Sequence, residues 1–449
     1  MDFTFTPEQR LMASTFRKLA DDLRAPAEFR AGAYGDTATE AAGDRAVAAG
    51  ERGDRHAAGA ASRSAAAGET WRRLADLGLP GMLAPESAGG LGLTDTDFVL
   101  IAEEAGRAAL AQPLIEHAGI AVPLLRDLAG QTLTHVASRA LAGAEGRAFA
   151  DAQGRALAGG EGRALADAEG RALAGAEGRA LAGGEGRALA NAEGRGLAGV
   201  EGRALLADIL ARAASGTARI AIGHPINPYV LGGAEADYLL VVSSDEVHLV
   251  EPHHARLTPV ESIDKGRWLV KVEVPAEHGK RVAAGVVASE AYRCAFERGA
   301  LYSAAQLVGL CQRMIDLAVA YARERRQFGK PIGSCQAIQH ALADVQVKLE
   351  FARPVLYFAA TCVCAPGLRA QAAVSHAKVA ATDAADLAAR TAMQVHGAMG
   401  YSWEVDLHVY MKRAWALAGA WGDRSYHVRR VSSLVLDGRI ELGPEHTFD

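Results

Sequence analysis

The chain has 449 residues, 50% hydrophobic and 22% charged, a balance that supports a large buried core and excludes global disorder. Its 48 Lys and Arg against 53 Asp and Glu leave a formal net charge of −5. With no cationic excess to displace phosphate counterions, a general nucleic-acid binder is excluded. At roughly 150 residues per domain the length allows about three domains. No run of about 18 uncharged apolar residues occurs, so a membrane span is not expected. The first residues, Met1-Asp-Phe-Thr-Phe-Thr-Pro7, lack a basic region leading into an apolar stretch, and the expected location is cytoplasmic.

Taken in chain order, residues 1–138 read as a mainly helical domain, interrupted at about 31–68 by an insertion rich in Ala, Gly and small charged residues. A turn-rich stretch at Pro80-Gly81, Pro85-Glu86 and Gly89-Gly90-Leu91-Gly92-Leu93 precedes a further helix. Residues 139–205 are an octapeptide repeat. Arginine recurs every eighth residue from Arg139 to Arg203, a glycine precedes eight of these nine arginines, and the unit reads Gly-Arg-Ala-Leu-Ala-x-x-Glu. Eight residues carry a helix about 80° past two full turns, so the leucines drift around the axis and no single face can be buried along its length. Each glycine also costs about 1 kcal/mol relative to Ala in a helix. The repeat therefore reads as a surface insertion, with partner binding as the alternative. Without its 67 residues, 382 remain, a length that suits one compact enzyme subunit.

Residues 206–287 change period and read as a small β domain. Tyr238-Leu-Leu-Val-Val242 and Val247-His-Leu-Val250 flank a short polar turn as a hairpin, and Leu269-Val-Lys-Val-Glu-Val274 is another strand. His253 and His254 sit in a loop without carboxylate neighbours and read as surface histidines, while Trp71, Trp268 and Trp403 read as packing residues. From 288 to 449 the pattern is helical. Leu301, Ala304, Ala305, Val308, Cys311, Met314, Ile315 and Ala318 fall at three- and four-residue spacing. Gly329-Lys-Pro-Ile-Gly333 ends this helix. Three more long segments, 336–364, 368–395 and 403–436, complete an antiparallel four-helix bundle. The expected architecture is thus mainly α with a small central β domain. The five cysteines, Cys294, Cys311, Cys335, Cys362 and Cys364, are an odd number confined to the last third. They read as reduced thiols rather than a disulfide framework, and no metal site is expected.

Two polar clusters stand at helix ends of the bundle. The first, Arg323-Glu-Arg-Arg-Gln-Phe-Gly-Lys-Pro-Ile-Gly333, offers guanidinium forks, an amide and an aromatic ring, groups that suit a phosphate beside a flat heterocycle. A solvated helix C-terminus explains it as well, since arginines favour that end of the helix dipole. The second, Gln394-Val-His-Gly-Ala-Met-Gly-Tyr-Ser-Trp-Glu404, allows close backbone approach at Gly397 and Gly400, or simply makes a tight interhelical turn.

In this order and spacing the two clusters together resemble the acyl-CoA dehydrogenase family. Leu77-Gly-Leu-Pro-Gly81 through Leu93 and Glu103-Glu-Ala-Gly-Arg107 match it too, and the resemblance covers nearly everything outside the two insertions. It implies a helical–β–helical subunit that oxidises an acyl-CoA thioester at its α,β carbons with FAD and passes the electrons to an electron-transfer acceptor. Carried over from the family, Arg325 faces the FAD pyrophosphate of a neighbouring subunit, Gln327 and Phe328 line the dinucleotide, and Gln394, Val395, His396, Gly397 and Ala398 approach its adenosine half. Ala398 departs from the pattern, which has a second glycine there.

Two further departures bear on catalysis. The family's glutamate base comes seventeen residues after the counterpart of Glu404, where this chain has Trp421, and an indole cannot accept the α-proton. Some members carry the base on the helix of Leu301, at the position that is Gly299 here. Glu297 and Asp423 are weak stand-ins; Glu297 lies about 200° around the helix from Gly299. The second departure is in the β domain. Ala221-Ile-Gly-His-Pro-Ile-Asn-Pro228 stands where the family faces the flavin with a Thr-Glu-Pro type segment, and the domain is too short for both flavin-facing elements.

This combination, with Trp415-Ala-Leu-Ala-Gly-Ala-Trp-Gly-Asp423, is similar to the base-lacking subunit of the heterotetrameric acyl-CoA dehydrogenases of actinobacteria that act on steroid side chains. It implies an α2β2 assembly with a homologous catalytic subunit, FAD shared at the interface, and no catalytic residue in this chain. On that reading Trp421→Ala leaves turnover nearly intact. The alternatives are a self-sufficient homomeric acyl-CoA oxidoreductase with a displaced carboxylate base, and a non-enzymatic scaffold that uses the repeat for protein contacts.

Overall fold

The computed structural model describes residues 5–23, 67–130, 200–275, 279–440 and 443. The insertion at about 31–68 lies outside them up to residue 66, and the octapeptide repeat lies outside them up to residue 199.

The N-terminal part opens with α1 (Pro7–Leu23), whose first turn is closed reciprocally by Thr6 and Gln9: the Gln9 N–H donates to Thr6 Oγ1 and the Thr6 N–H to Gln9 Oε1. Helical residues 67–76 form α2 and the glycine-rich stretch after it folds into two short 3₁₀ turns, as its composition predicts. Helix α3 (Asp95–Arg107) starts at a second box of this kind, Thr94 with Asp97. A π-helical segment, Ile115–Ala121, runs straight into α4 (Val122–Ala129).

Helix α5 (Val200–Ala214) takes up the end of the octad repeat and continues past it, so the sheet region begins at Ile220 rather than at 206. The alanine-rich repeat runs into an alanine-rich helix with no composition break to mark the boundary. Seven strands follow, more than the sequence reading resolves: β1 (Ile220–Gly223), β2 (Tyr229–Leu231), β3 (Tyr238–Val242), β4 (Glu246–Val250), β5 (Arg256–Val260), β6 (Leu269–Glu273) and β7 (Lys280–Ala284). They make a four-stranded sheet in the order β1-β3-β4-β7 and an antiparallel three-stranded sheet in the order β2-β6-β5. The expected β3–β4 hairpin is present, and β1 adds to β3 in parallel. Alternation places Ala221, Leu239 and Val250 against Val230 and Val270 of the second sheet, while Ile220, Ile222, Leu240 and Leu249 face the helices.

The C-terminal part is built on α6 (Gly285–Glu324), 40 residues and about 60 Å long. Every residue from Cys294 to Cys311 is buried, so α6 is a central axle rather than an amphipathic surface helix. Around it pack α3, α7 (Gln336–Cys362), α8 (Leu368–His396) and α9 (Leu407–Gly419). The segment expected as one helix over 403–436 is two, α9 and α10 (Arg424–Leu436), broken at Ala420–Asp423. Gly309 lets α6 approach α3: a Cβ there would lie 1.8 Å from the Glu103 carbonyl oxygen.

His117 ties the N-terminal part to α5 and β1. Its Nε2–H donates to the Ala213 carbonyl at 3.1 Å and its Nδ1 accepts from the Ile220 N–H at 3.0 Å. Burial draws its pKa down to about 4. The folded state therefore resists a proton that the unfolded chain takes up near pH 6.5, and this stability, complete above pH 6.5, is lost as the pH falls toward 4. Between pH 7 and 4.5 the loss is about 2–3 kcal/mol. Urea unfolding at the two pH values is expected to show a His117→Gln variant with a shallower pH dependence by about that amount.

Candidate functional site

The two polar clusters meet at one end of the bundle. Helix α6 ends at Glu324, and the Arg325 N–H donates back to the Tyr321 carbonyl at 2.8 Å. A two-residue hairpin follows, β8 (Arg326–Gln327) against β9 (Lys330–Pro331), turning through Phe328 and Gly329 at φ of +53° and +77°. Such a turn favours Asn-Gly or Gly-Gly, so a phenylalanine at its first position is strained. Phe328 is 98% exposed. Arg325, Arg326 and Gln327 are exposed around it.

Helix α8 ends beside this hairpin. The ring of His396 stacks on Tyr321 of α6 with centroids 4.4 Å apart, and its Nδ1–H donates to the Ala392 carbonyl. His396 is thus a buried tie between the clusters, with its ring turned inward, and Val395 is half-buried. Gln394, Gly397 and Ala398 are exposed. Gly397 adopts φ +57° and ψ −138°, a conformation open to glycine, and leads into the 3₁₀ turn Gly397–Tyr401. The chemistry of the surface is set by guanidinium and amide donors next to an uncovered aromatic ring and a bare backbone turn. That set fits a dinucleotide.

Trp421 and Gly299 are in contact. A Cβ added to Gly299 would lie 2.1 Å from the Trp421 indole, so the ring rests directly on the bare backbone of α6. Trp421 is 2% exposed and holds a left-handed backbone at φ +57°. His224, from the segment Ala221–Pro228, closes the other side. Its ring lies 5.4 Å from Trp421 and stacks on Tyr292 at 4.2 Å, with Phe296 beside it. The His224 Nε2–H donates to the Tyr292 carbonyl, and burial draws its pKa down to about 4, so the ring is neutral at pH 7. His427 fixes the turn from below: its Nε2–H donates to the Trp421 carbonyl at 3.0 Å and its Nδ1 accepts from the Ser375 hydroxyl. A solid aromatic block fills the space between α6, the β domain and the α9–α10 turn.

The two carboxylates named as weak stand-ins for a base are engaged elsewhere. Glu297 is 1% exposed and paired with Arg430, whose Nη1 donates to Glu297 Oε2 at 3.3 Å and whose Nη2 contacts Oε1 more closely. Asp423 caps α10 by accepting the Tyr426 N–H at 2.7 Å.

Several residues of this region escape sequence reading. His224, His427 and Arg430 carry no local signal because their partners lie far along the chain. Asp264, in the β5–β6 loop, is wholly buried against Arg413 of α9, which also donates to the Leu110 carbonyl at 2.7 Å. Lys378, buried in α8, donates to the Leu417 carbonyl; burial and then the charge of Arg267 pull its pKa down to about 7. Of the three tryptophans expected in the packing, Trp71 is buried, whereas Trp268 and Trp403 are partly exposed. The loop histidines do have a carboxylate neighbour: Glu251 lies 3.5 Å from His253, because the 3₁₀ turn Pro252–His254 folds the loop back. Among the described residues no helix is long and apolar enough to cross a membrane.

The family model for the acyl-CoA dehydrogenase C-terminal domain matches residues 290–434, and that for the N-terminal domain matches 45–131. The chain is 33% identical over 235 residues to the acyl-CoA dehydrogenase FadE34 of Mycobacterium tuberculosis, covering 51% of this chain and 31% of that protein. It is 31% identical over 230 residues to the acyl-CoA dehydrogenase IpdE2 of the same organism, covering 51% of this chain and 66% of the relative. The chain thus spans less than two thirds of the length of these relatives. Among solved structures, the ChsE4-ChsE5 complex from Mycobacterium tuberculosis superposes with a TM-score of 0.64 at 20% identity, over 97% of this chain and 99% of the other. Butyryl-CoA dehydrogenase from Megasphaera elsdenii superposes with a TM-score of 0.63 at 17% identity, over 97% and 100%. At such identities the likeness shows the fold.

Proposed function

Because this chain belongs to the acyl-CoA dehydrogenase family, we propose that it is a subunit of an FAD-dependent oxidoreductase that introduces a 2,3-double bond into a CoA thioester, and that it completes the FAD site of a catalytic partner while supplying no base of its own. The observation that carries this reading is the seat of Trp421 on Gly299: the two places where the family carries its base adjoin, and one indole fills them both. Arg325 would hold the pyrophosphate, Gln327 and Phe328 the dinucleotide, and Gln394 with the Gly397–Ala398 turn the adenosine half. FAD held there would supply the hydride acceptor for the substrate's β-hydrogen. The α-proton goes to a carboxylate of the partner, since no group of the aromatic block has a free basic atom: the His224 Nδ1 accepts the Ile226 N–H, and the His427 ring is held on both nitrogens.

An α2β2 assembly with a homologous catalytic subunit and transfer to an electron-transfer acceptor belong to the same reading. So does a steroid side-chain thioester as substrate, which rests on the sequence resemblance to the base-lacking subunits. The homomeric alternative, with Glu297 or Asp423 as base, is opposed by the Arg430 pair and the helix cap that occupy them.

Flavin absorbance per polypeptide tests the proposal. The chain alone is expected to bind little flavin, and the chain co-expressed with its homologous partner one flavin per heterodimer; a full flavin on the isolated chain would overturn the reading. In the complex, Arg325→Ala is expected to weaken FAD retention by about 1.5–3 kcal/mol, roughly tenfold or more in Kd. Unchanged retention would remove Arg325 from the site.

A further inference from the structure

A pair of thiols that the flavin reading leaves unused lies where the first third of α6 meets the turn after α7. Cys294 is buried on α6. Cys364, half-buried, sits two residues past the end of α7 at φ +60°, a left-handed conformation rare for a residue with a side chain. Its sulfur lies 3.6 Å from the Cys294 carbonyl oxygen, to which its S–H is directed, and the two thiols are neighbours that influence one another. Arg293 spans the two, its Nη2 lying 3.6 Å from Cys294 Sγ and donating to the Cys364 carbonyl at 2.9 Å. Arg298, just over one turn along α6, brings a second guanidinium. The Nη1 atoms of both arginines are buried without a hydrogen-bond partner, although Asp127 lies 3.5 Å from that of Arg298. Glu290 pairs with Arg293, and Asp95 with Arg298 and Tyr302.

Two cations beside a pair of neighbouring thiols favour a thiolate over a thiol. The S–H of Cys364 and then Arg293 and Arg298 draw Cys294 below its ordinary value against the effect of burial, whereas burial and the bond to Cys294 push Cys364 well up. Cys294 is thus the more acidic of the two thiols. The surroundings of Cys311 are the reverse, burial pushing it up to about 12. A metal does not explain the pair, since two thiols supply half of a tetrahedral site. The three-ligand group found among the described residues is elsewhere, at Glu251, His253 and His254.

We propose that Cys294 and Cys364 are an oxidisable dithiol, at which a hydroperoxide converts the two thiols into a disulfide joining α6 to the turn after α7. The Cys294 thiolate attacks the distal oxygen of the peroxide and the O–O bond breaks. The peroxide is thereby reduced to an alkoxide or hydroxide that takes up a proton, and Cys294 is oxidised to the sulfenic acid. The sulfur of Cys364 then bonds to that of Cys294 and its proton leaves with the sulfenic hydroxyl as water. The sum is two thiols and one hydroperoxide giving one disulfide, one alcohol (or water) and one water. All five cysteines are free in the resting chain, so the site starts reduced.

The test treats the full reduced chain with hydrogen peroxide and does not depend on the flavin reading. The thiol titre is expected to fall from the five free cysteines to three, with non-reducing peptide mapping showing the Cys294–Cys364 link. Cys364→Ser is expected to leave Cys294 trapped by dimedone as the sulfenic acid. Arg293→Gln is expected to slow oxidation about tenfold, the effect of one pKa unit on the thiolate fraction, with Arg293→Lys recovering most of the rate. A Cys335→Ser/Cys362→Ser chain, which leaves the pair intact, should oxidise at the unmodified rate and guards against misfolding of the Cys364 variant. A titre that stays at five, oxidation of Cys335 or Cys362 while Cys294 and Cys364 remain alkylatable, or an unchanged rate in Arg293→Gln would each overturn the proposal.

Discussion

Trp421→Ala is expected to destabilise the chain by about 3–5 kcal/mol, the range for emptying a buried aromatic position. The indole is 2% exposed, lies on the backbone of Gly299 and abuts the His224 ring, so its removal leaves a cavity that rigid helix backbone cannot close. The left-handed backbone at φ +57° remains strained with alanine, so no relief of strain offsets the loss. Silence of this substitution, expected from the lack of a base, therefore applies to the chemistry alone; the assembled enzyme would suffer through folding. Urea unfolding of the single chain measures it, and a double-mutant cycle isolates the contact. Gly299→Ala drives a methyl into the indole and should be costly in the native background, yet much milder beside Trp421→Ala. Additive costs would rule out the contact.

Asp264→Asn is expected to cost about 3–5 kcal/mol for a different reason: it strands a buried cation. Asp264 is wholly buried, and Arg413 makes its other hydrogen bond to the Leu110 carbonyl, with the Glu116 carboxylate close enough to feel its charge, so the pair clasps the β5–β6 loop, α9 and the N-terminal part at one point. The arginine cannot shed its proton and has no route to water. Replacing both partners, Asp264→Leu with Arg413→Met, removes the charge along with its partner and is expected to recover much of the loss, less the cost of the Leu110 carbonyl left without a donor. If the double variant is as unstable as the single one, apolar packing rather than the charge explains the loss.

What could be read in the chain follows the length scale of each signal. The bundle was legible because α6, α7 and α8 are 40, 27 and 29 residues long, enough chain for a helical spacing to emerge. The strands β1–β7 are three to five residues long, so short that only β3, β4 and β6 could be read. In β1, Ile-Ala-Ile-Gly is buried throughout and does not alternate, and Pro259 argues against a strand although β5, at a sheet edge, tolerates it. In the candidate site, exposed Arg325, Gln327 and Phe328 advertise their chemistry locally. The closed side could be suspected at Trp421 and Gly299 separately, but their contact spans 122 positions of chain, and nothing near His224 announces that it would complete the stack. The clasp between Asp264 and Arg413 was equally hidden. Each looks like an ordinary surface charge until the fold brings the other to it.

The seat of the indole on Gly299 also bears on how such a protein can change over generations. A carboxylate returned to position 421 would leave most of the indole's volume empty, and one placed at 299 would meet the ring at 2.1 Å. Either first step loses folding stability before any gain in chemistry can be selected. Under the function proposed above, the two positions interlock and act as a ratchet: with tryptophan settled on glycine, a lineage would return to proton abstraction only through a step that costs folding stability. The proposed dependence on a partner would then be kept in place by packing as much as by selection for the partnership.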